Sequence, residues 1–149
     1  MDKQTEAFSL KPREGRSLPA PAGRVTFKVR GEESDGTMTV FEAEVPPGTG
    51  PQLHVHEHSD ECIYVLNGDV QIRLGQELRD APAGSFAFIP RGVHHRYQNV
   101  GETNSRIIAM FTPAGIEDFF ESFAENGNVD DFFEGISAGG TRDEARHPQ

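Results

Sequence analysis

The chain has 149 residues and a mass of 16.4 kDa, which is the size of a single domain. Its formal net charge of −10 and its pI near 5.0 oppose contact with a nucleic-acid backbone or an anionic membrane, so we expect no partner of either kind. The single cysteine, Cys62, rules out a disulfide within the chain. The sequence also has no apolar segment of signal-peptide or membrane-spanning length, and we therefore expect a cytoplasmic protein.

The first part of the chain, residues 1–22, is rich in charge, proline and glycine and shows no periodicity. We interpret it as an N-terminal arm that is either extended or forms an edge strand. Residues 23–112 alternate short β-prone runs with clusters of turn residues, which predicts an all-β sandwich or barrel. Within this region, four residues alternate with Glu42 and Glu44 and are predicted to face the interior: Thr39, Phe41, Ala43 and Val45.

The hydrophobic period changes in residues 113–137, which predict two short amphipathic helices packed on the barrel. Thr112 and Pro113 suit the start of the first helix, and the pair Asn126-Gly127 suits its end. The apolar positions of the two helices are Ile116, Phe119, Phe120 and Phe123, followed by Val129, Phe132, Phe133 and Ile136. Residues 138–149 are polar and glycine-rich, which predicts a disordered tail.

Five of the six histidines lie between positions 54 and 95, in two clusters. In a strand, His54 and His56 project to the same face, and a turn could return the carboxylate of Glu61 to them. Either His94 or His95 could add a third imidazole. Gathering these groups on the interior face of a sheet is favourable only around a cation. The pattern predicts one divalent transition metal ion per chain and does not choose among iron, nickel, manganese, copper and zinc.

The same residues belong to two spaced motifs. The motifs are Gly48-x5-His54-x-His56-x4-Glu61-x6-Gly68 and Gly84-x5-Pro90-x-Gly92-x2-His95-x3-Asn99. With them the chain resembles the small single-domain cupins of the quercetin 2,3-dioxygenase-like type, over roughly residues 13–125. The resemblance implies a cupin antiparallel β-barrel, which is a jelly-roll-like double-stranded β-helix, paired into a homodimer. It also implies four metal ligands, which are His54, His56, Glu61 and His95.

Four further residues are candidates for contact with a substrate. Tyr97 shares the face of His95 by alternation, and its hydroxyl could orient an oxygen-rich ligand. A tyrosine packed in the barrel with its hydroxyl satisfied is an equally good interpretation. Gln52, Thr39 and Phe41 are candidates on the same argument as Tyr97.

A metal held by three imidazoles and one carboxylate keeps positions open for a small-molecule substrate. The leading hypothesis is a dioxygenase that acts on an enolic or phenolic molecule, flavonol-like or diketone-like. In this hypothesis Glu61 is the catalytic base that accepts the hydroxyl proton. The first alternative is a non-redox isomerase, cyclase or lyase acting on an enolisable carbonyl compound. The second is a cupin that binds a small molecule without turnover. His58 and His94 are interpreted as lying outside the metal site.

Overall fold

The structure is a computed structural model that describes residues 5–127. Its strands are β1 (Arg16–Ala20), β2 (Gly23–Val29), β3 (Thr39–Val45), β4 (Asp60–Asn67), β5 (Asp69–Leu74), β6 (Glu77–Pro82), β7 (Phe86–Ile89), β8 (His95–Asn99) and β9 (Ser105–Thr112). Its helices are α1 (Gly31–Ser34) and α2 (Glu117–Asn126). The second predicted helix and the predicted tail lie outside the described residues. Within residues 5–127, no helix combines the length and apolar character needed to cross a membrane.

The strands form two antiparallel sheets, which confirms the all-β expectation. The larger sheet has the order β1-β2-β3-β9-β4-β7, and the smaller sheet has the order β6-β5-β8. Strand β1 pairs with β2 along its whole length, so the second half of the predicted arm includes an edge strand of the larger sheet. An antiparallel bridge between His54 and His95 attaches the segment before β4 to β8 of the smaller sheet.

The hydrophobic core lies between the inner faces of the two sheets. The alternation predicted on β3 is confirmed, since its inward residues are at most 3% exposed: Thr39, Phe41, Ala43 and Val45. Strands β4, β9 and β5 contribute the other buried aliphatic side chains near the centre, which are Ile63, Val65, Ile107, Ala109, Val70 and Ile72. The period-2 pattern therefore places one face of each strand inside the barrel.

The outer face of the larger sheet carries exposed apolar side chains near its β7 edge. Register places Cys62 beside Phe88 and Met110, and Tyr64 beside Phe86. The exposed fractions are 44% for Tyr64, 63% for Phe86, 56% for Phe88 and 36% for Met110. We call these four exposed residues the apolar outer patch. A contiguous apolar surface of this kind is typical of an interaction site.

Helix α2 begins later than the sequence predicts, at Glu117 rather than at Pro113. The reason is that Thr112 still pairs with Asp60 of β4, so the chain leaves the sheet only after Thr112. The end of the helix agrees with the prediction. There Gly127 adopts a φ of 66°, in the left-handed region that favours glycine.

Helix α2 packs over one end of the barrel. The ring of Phe120 lies 5.1 Å from that of Phe41 and 6.0 Å from that of Phe27, measured between ring centroids. Phe119 packs against Phe120 at 4.9 Å. These edge-to-face contacts add to the stabilisation from apolar burial and attach the helix to β2 and β3.

Glu117, the first residue of α2, fastens the helix to two other segments. Its carboxylate accepts hydrogen bonds from the backbone of Gly31 at 2.7 Å and of Gly115 at 3.0 Å, and from the hydroxyl of Thr39. Burial alone would raise the pKa of Glu117, but the hydrogen bonds from Thr39 and Gly31 outweigh it and lower the pKa. The ionised carboxylate therefore joins α1, β3 and α2.

We expect Glu117→Gln to lower the free energy of unfolding by about 1–3 kcal/mol at neutral pH, because an amide NH2 would face hydrogen-bond donors. A carboxylate whose pKa is lowered by folding stabilises the protein above its unfolded pKa of about 4.3, and this contribution disappears as pH falls through the folded pKa. The difference between variant and wild type should therefore shrink in acid. Urea unfolding at several pH values measures it.

The control for this prediction is Glu121→Gln. Glu121 is on the same helix and forms an exposed ion pair with Arg16 at 2.8 Å. Exposed pairs contribute little, so this variant should lose much less stability. Equal losses in the two variants, or a loss at Glu117 that is independent of pH, would contradict the role assigned to the Glu117 carboxylate.

Candidate metal centre

His54 is positioned by backbone pairing with β8. The His54 N–H donates to the carbonyl of His95 at 3.0 Å, and the His95 N–H donates back to the carbonyl of His54 at 2.8 Å. Upstream, a Cβ on Gly50 would lie 2.0 Å from the carbonyl oxygen of Tyr97. Glycine at this position therefore allows the segment to approach β8 closely, and the bridge then sets the imidazoles of His54 and His95 side by side.

Glu61 reaches the same place from the larger sheet. It is the second residue of β4 and lies opposite Phe111 of β9 in the register. It shares the inward face of β4 with Ile63 and Val65, as the alternation predicts. The two sheets thus bring the carboxylate and the imidazoles together from opposite sides of the barrel.

The structure gathers the four residues that the sequence motifs predict as metal ligands. One ligand atom from each of His54, His56, Glu61 and His95 lies within 4.8 Å of all the others. The four residues are between 1% and 5% exposed. The Oε1 atom of Glu61 lies 2.9 Å from Nε2 of His95 and 3.4 Å from Nε2 of His56. We call this set the His/Glu cluster.

The outer nitrogens of two imidazoles are fixed by the backbone. Nδ1 of His54 lies 2.6 Å from the carbonyl of Gln52, and Nδ1 of His95 lies 2.8 Å from the carbonyl of Val93. A carbonyl only accepts, so each Nδ1 carries the proton and donates. The Nε2 atoms are then the nitrogens that point into the cluster, which is the arrangement that orients histidine toward a metal.

The charges in the cluster are set by burial and by the close contacts. Burial, and then the neighbouring His95 and His56, hold the pKa of His54 well below its usual value, so His54 is neutral. Burial would raise the pKa of Glu61, but the close contacts with His56 and His95 outweigh it and the pKa falls. Burial would lower the pKa of His95, and its hydrogen bond to Glu61 raises it instead. A neutral imidazole and an ionised carboxylate are the forms that bind metal.

The donor set fits a divalent transition metal. Nε2 of His56 is buried and makes no hydrogen bond within the described residues, although it lies near Glu61. An unsatisfied buried nitrogen facing a carboxylate is costly in the absence of a cation. Three imidazoles and one carboxylate suit iron, nickel, manganese, copper or zinc alike. The sulfur of Cys62 belongs to the outward face of β4 and does not join the set.

The four predicted substrate-contacting residues take different positions. Phe41 stacks on Phe111 at 5.7 Å, and Phe111 in turn meets the His56 ring at 5.1 Å. Tyr97 lines a cavity of about 40 Å³ beside Phe119 and Phe120. Its pKa is raised by burial and then by the charge of Glu61. The hydroxyl of Thr39 is committed to Glu117. Gln52 is exposed and meets His54 through its backbone carbonyl. Their contact with a substrate stays a prediction.

A cleft of about 180 Å³ reaches the His/Glu cluster at His56. One wall of the cleft is formed by Glu57, His58 and Ser59, and the other by residues 113–116. Sequence reasoning left His58 outside the metal site, and the structure places it exposed at the cleft. Sequence reasoning did not place residues 113–116 at the site. The available signal was the change of period at this point, which predicts a helix start and does not indicate what the loop faces.

Comparison with known proteins agrees with this structure. The model of the cupin domain family matches residues 41–111. The chain is similar to tetracenomycin polyketide synthase protein TcmJ of Streptomyces glaucescens, at 31% identity over 71 residues, which are 47% of this chain and 47% of that protein. It is also similar to quercetin 2,3-dioxygenase of Bacillus subtilis, at 27% identity over 95 residues, which are 63% of this chain and 28% of that protein. The chain spans about half the length of the Streptomyces relatives it matches.

The fold is also found among solved structures. An RmlC-like cupin from Shewanella frigidimarina superposes with a TM-score of 0.65 at 21% sequence identity, and the match covers 78% of this chain and 97% of that chain. The segment matched by the family model contains every member of the His/Glu cluster. The family match identifies residues 41–111 as a cupin domain, and the two-sheet topology of the described residues is that of the cupin fold.

Proposed function

We propose that this cupin is a metal-dependent enzyme that acts on an enolic or phenolic small molecule, with dioxygenation as its reaction. The observation that carries the proposal is the buried His/Glu cluster, in which an ionised carboxylate lies among imidazoles and a cleft reaches the cluster at His56. The similarity to quercetin 2,3-dioxygenase covers more of the chain than the family match does and supports the same chemistry.

His54, His56, Glu61 and His95 would hold the metal. When bound, a divalent transition metal polarises a coordinated hydroxyl and, if it is redox-active, promotes reaction with O2. The carboxylate of Glu61 accepts the proton of the substrate hydroxyl, which leaves an electron-rich enolate. The neighbouring His95 holds that carboxylate through its Nε2 contact at 2.9 Å. Both oxygen atoms of O2 enter the product, so the reaction needs no external reductant.

The size of the cleft favours a small substrate. Pockets for drug-sized ligands measure about 300–1,000 Å³, whereas this cleft measures about 180 Å³. Helix α2 closes the barrel on the side of Phe119 and Phe120, next to the cavity of about 40 Å³. We therefore favour a short diketone-like enol over a three-ring flavonol. Ile116 supplies apolar surface on the cleft wall, and Phe111 packs against the ring of His56, which lines the same cleft.

A non-redox reaction is the second candidate. The similarity to a polyketide synthase protein favours a cyclase, isomerase or lyase acting on an enolisable carbonyl compound. Such a reaction uses the same proton transfer to Glu61 and a metal that acts only as a Lewis acid. Consumption of O2 separates the two candidates.

We expect the metal-loaded protein to consume one O2 for each molecule of a short β-diketone such as 2,4-pentanedione that disappears, and to do so faster than with a flavonol. An oxygen electrode and chromatography of the substrate measure the two quantities after reconstitution with each of the five metals. Glu61→Gln should lower the rate by about 100-fold or more, compared per bound metal. The matched control is Glu77→Gln, because Glu77 lies outside the cleft and the cluster in an exposed ion pair with Arg79, and its rate should stay within about twofold.

Equal loss of substrate with and without O2 would contradict dioxygenation and favour the non-redox reaction. A substrate that binds and remains unchanged with every metal would contradict both and favour a binding protein. Removal of the metal by a chelator should abolish turnover whether the reaction is a dioxygenation or the non-redox reaction.

We further propose that the partner of this chain is a second copy, paired through the apolar outer patch. Three of the four residues of the patch are aromatic, the class enriched at protein interfaces. Strand β7 also lies at the edge of its sheet, where its outer backbone groups are open to pairing. A second copy would cover both features at once, since a two-fold axis brings the same patch from each protomer together.

Light scattering should give about twice the chain mass of 16.4 kDa. Phe88→Lys should shift the protein to the mass of one chain, because a charge would replace a ring of the patch. The matched control is Leu78→Lys, at a residue that is 60% exposed on the smaller sheet, and this variant should remain paired. A wild-type mass of one chain, or a Phe88→Lys variant that still pairs, would contradict this interface.

A further inference from the structure

Two arginines face each other on the outer side of the smaller sheet. Arg73 of β5 and Arg96 of β8 are direct partners in the register. Side chains alternate along β8, so His95 points into the barrel while its neighbours His94 and Arg96 point out. Arg73, Arg96 and His94 therefore share one surface, on the opposite side of β8 from the His/Glu cluster. We call these three residues the basic outer cluster.

The basic outer cluster contains three buried nitrogens that find no hydrogen-bond partner within residues 5–127. They are Nη2 of Arg73, Nε of Arg96 and Nε2 of His94. Nε of the same Arg73 guanidinium donates a hydrogen bond to the carbonyl of Gly75 at 2.8 Å. Buried polar atoms in native proteins normally have hydrogen-bond partners. Three unpartnered nitrogens on one surface therefore indicate a missing ligand.

Five other arginines of the chain have a carboxylate partner, which Arg73 and Arg96 lack within the described residues. Arginine–carboxylate pairs within 4.0 Å are formed by Arg16, Arg30, Arg79, Arg91 and Arg106. Within residues 5–127, no carboxylate lies that close to Arg73 or Arg96. The acidic groups on the adjoining strand β6 are committed elsewhere: Glu77 pairs with Arg79 at 2.6 Å, and Asp80 accepts from Gln71 at 3.4 Å.

The two guanidinium groups repel one another and are partly removed from water. Burial, and then the charge of Arg73, lower the pKa of Arg96. The bridge between His54 and His95 also places Leu53 and Val55 beside Arg96 and His94, and both are buried, at 6% and 1% exposure. Apolar neighbours strengthen the interaction of a charge with a counter-ion.

We propose that the basic outer cluster binds a small oxyanion of the phosphate or sulfate class between Arg73 and Arg96. Guanidinium groups present several N–H donors in a planar fork that matches such an anion. The anion satisfies Nη2 of Arg73 and Nε of Arg96, and it accepts from Nε2 of His94 in the tautomer that carries a proton there. It also cancels the repulsion between the two guanidinium groups. The site is independent of the metal and of the proposed reaction.

The test is a titration of the full chain with inorganic phosphate at constant ionic strength, with chloride as the reference salt. Isothermal calorimetry should show saturable binding of one phosphate per chain, and thermal unfolding should show a melting temperature that rises with phosphate. Both signals should be the same before and after treatment with a chelator, because the anion does not bind at the metal centre. Arg96→Gln should weaken phosphate binding at least about tenfold.

The matched control is Arg79→Gln, since Arg79 lies on the same sheet in an exposed ion pair with Glu77. Its phosphate affinity should equal that of the wild type. Arg73→Gln provides a second, opposite signal. In chloride it should be at least as stable as the wild type, because one of two repelling charges is gone, whereas in phosphate it should be less stable.

Absence of saturable phosphate binding by the wild type would overturn the proposal, and this measurement does not depend on any variant folding. Equal phosphate affinity in the wild type and Arg96→Gln would also overturn it, as would a response that disappears with the chelator. A change of molecular mass on Arg96→Gln without phosphate binding by the wild type would overturn it in favour of a contact between chains.

Discussion

The candidate metal centre depends on burying one ionised carboxylate among three imidazoles. Glu61 comes from the larger sheet, and His54, His56 and His95 come from the segment and strand at the edge of the smaller one. Desolvation opposes each charge, and only convergent contacts or a cation offset it. The bridge between His54 and His95, and the backbone carbonyls that accept from their Nδ1 atoms, hold these two imidazoles in place without a ligand. The fold therefore positions side chains of the candidate metal centre.

Strand β8 separates two environments. Its inward residue His95 belongs to the His/Glu cluster, and its outward residue Arg96 belongs to the basic outer cluster. The alternation of a strand makes this possible, because adjacent side chains serve opposite faces. Helix α2 contributes in a different way. Its Phe120 ring packs on Phe41 and closes the barrel. The carboxylate of Glu117 anchors the start of the helix, which directly follows the loop that lines the cleft.

Much of this structure follows from sequence patterns that are local. The alternation of Thr39 through Val45 identifies the inner face of β3, and the motif spacing identifies the members of the His/Glu cluster. Features that depend on register do not follow. The pairing of Arg73 with Arg96 joins strands separated along the chain, and the continuation of β9 to Thr112 depends on its partner Asp60. A sequence shows which residues alternate, but it does not show which residue of another strand lies opposite.

Elemental analysis of untagged protein prepared without chelator shows whether His54, His56, Glu61 and His95 hold one metal ion. We expect nearly one transition metal ion per chain in the wild type and in His58→Ala, whose exposed imidazole lies at the cleft outside the cluster. We expect His54→Ala and His95→Ala to lose metal affinity at least about tenfold. Full metal content in both of these variants, or no metal in the wild type, would contradict this ligand assignment.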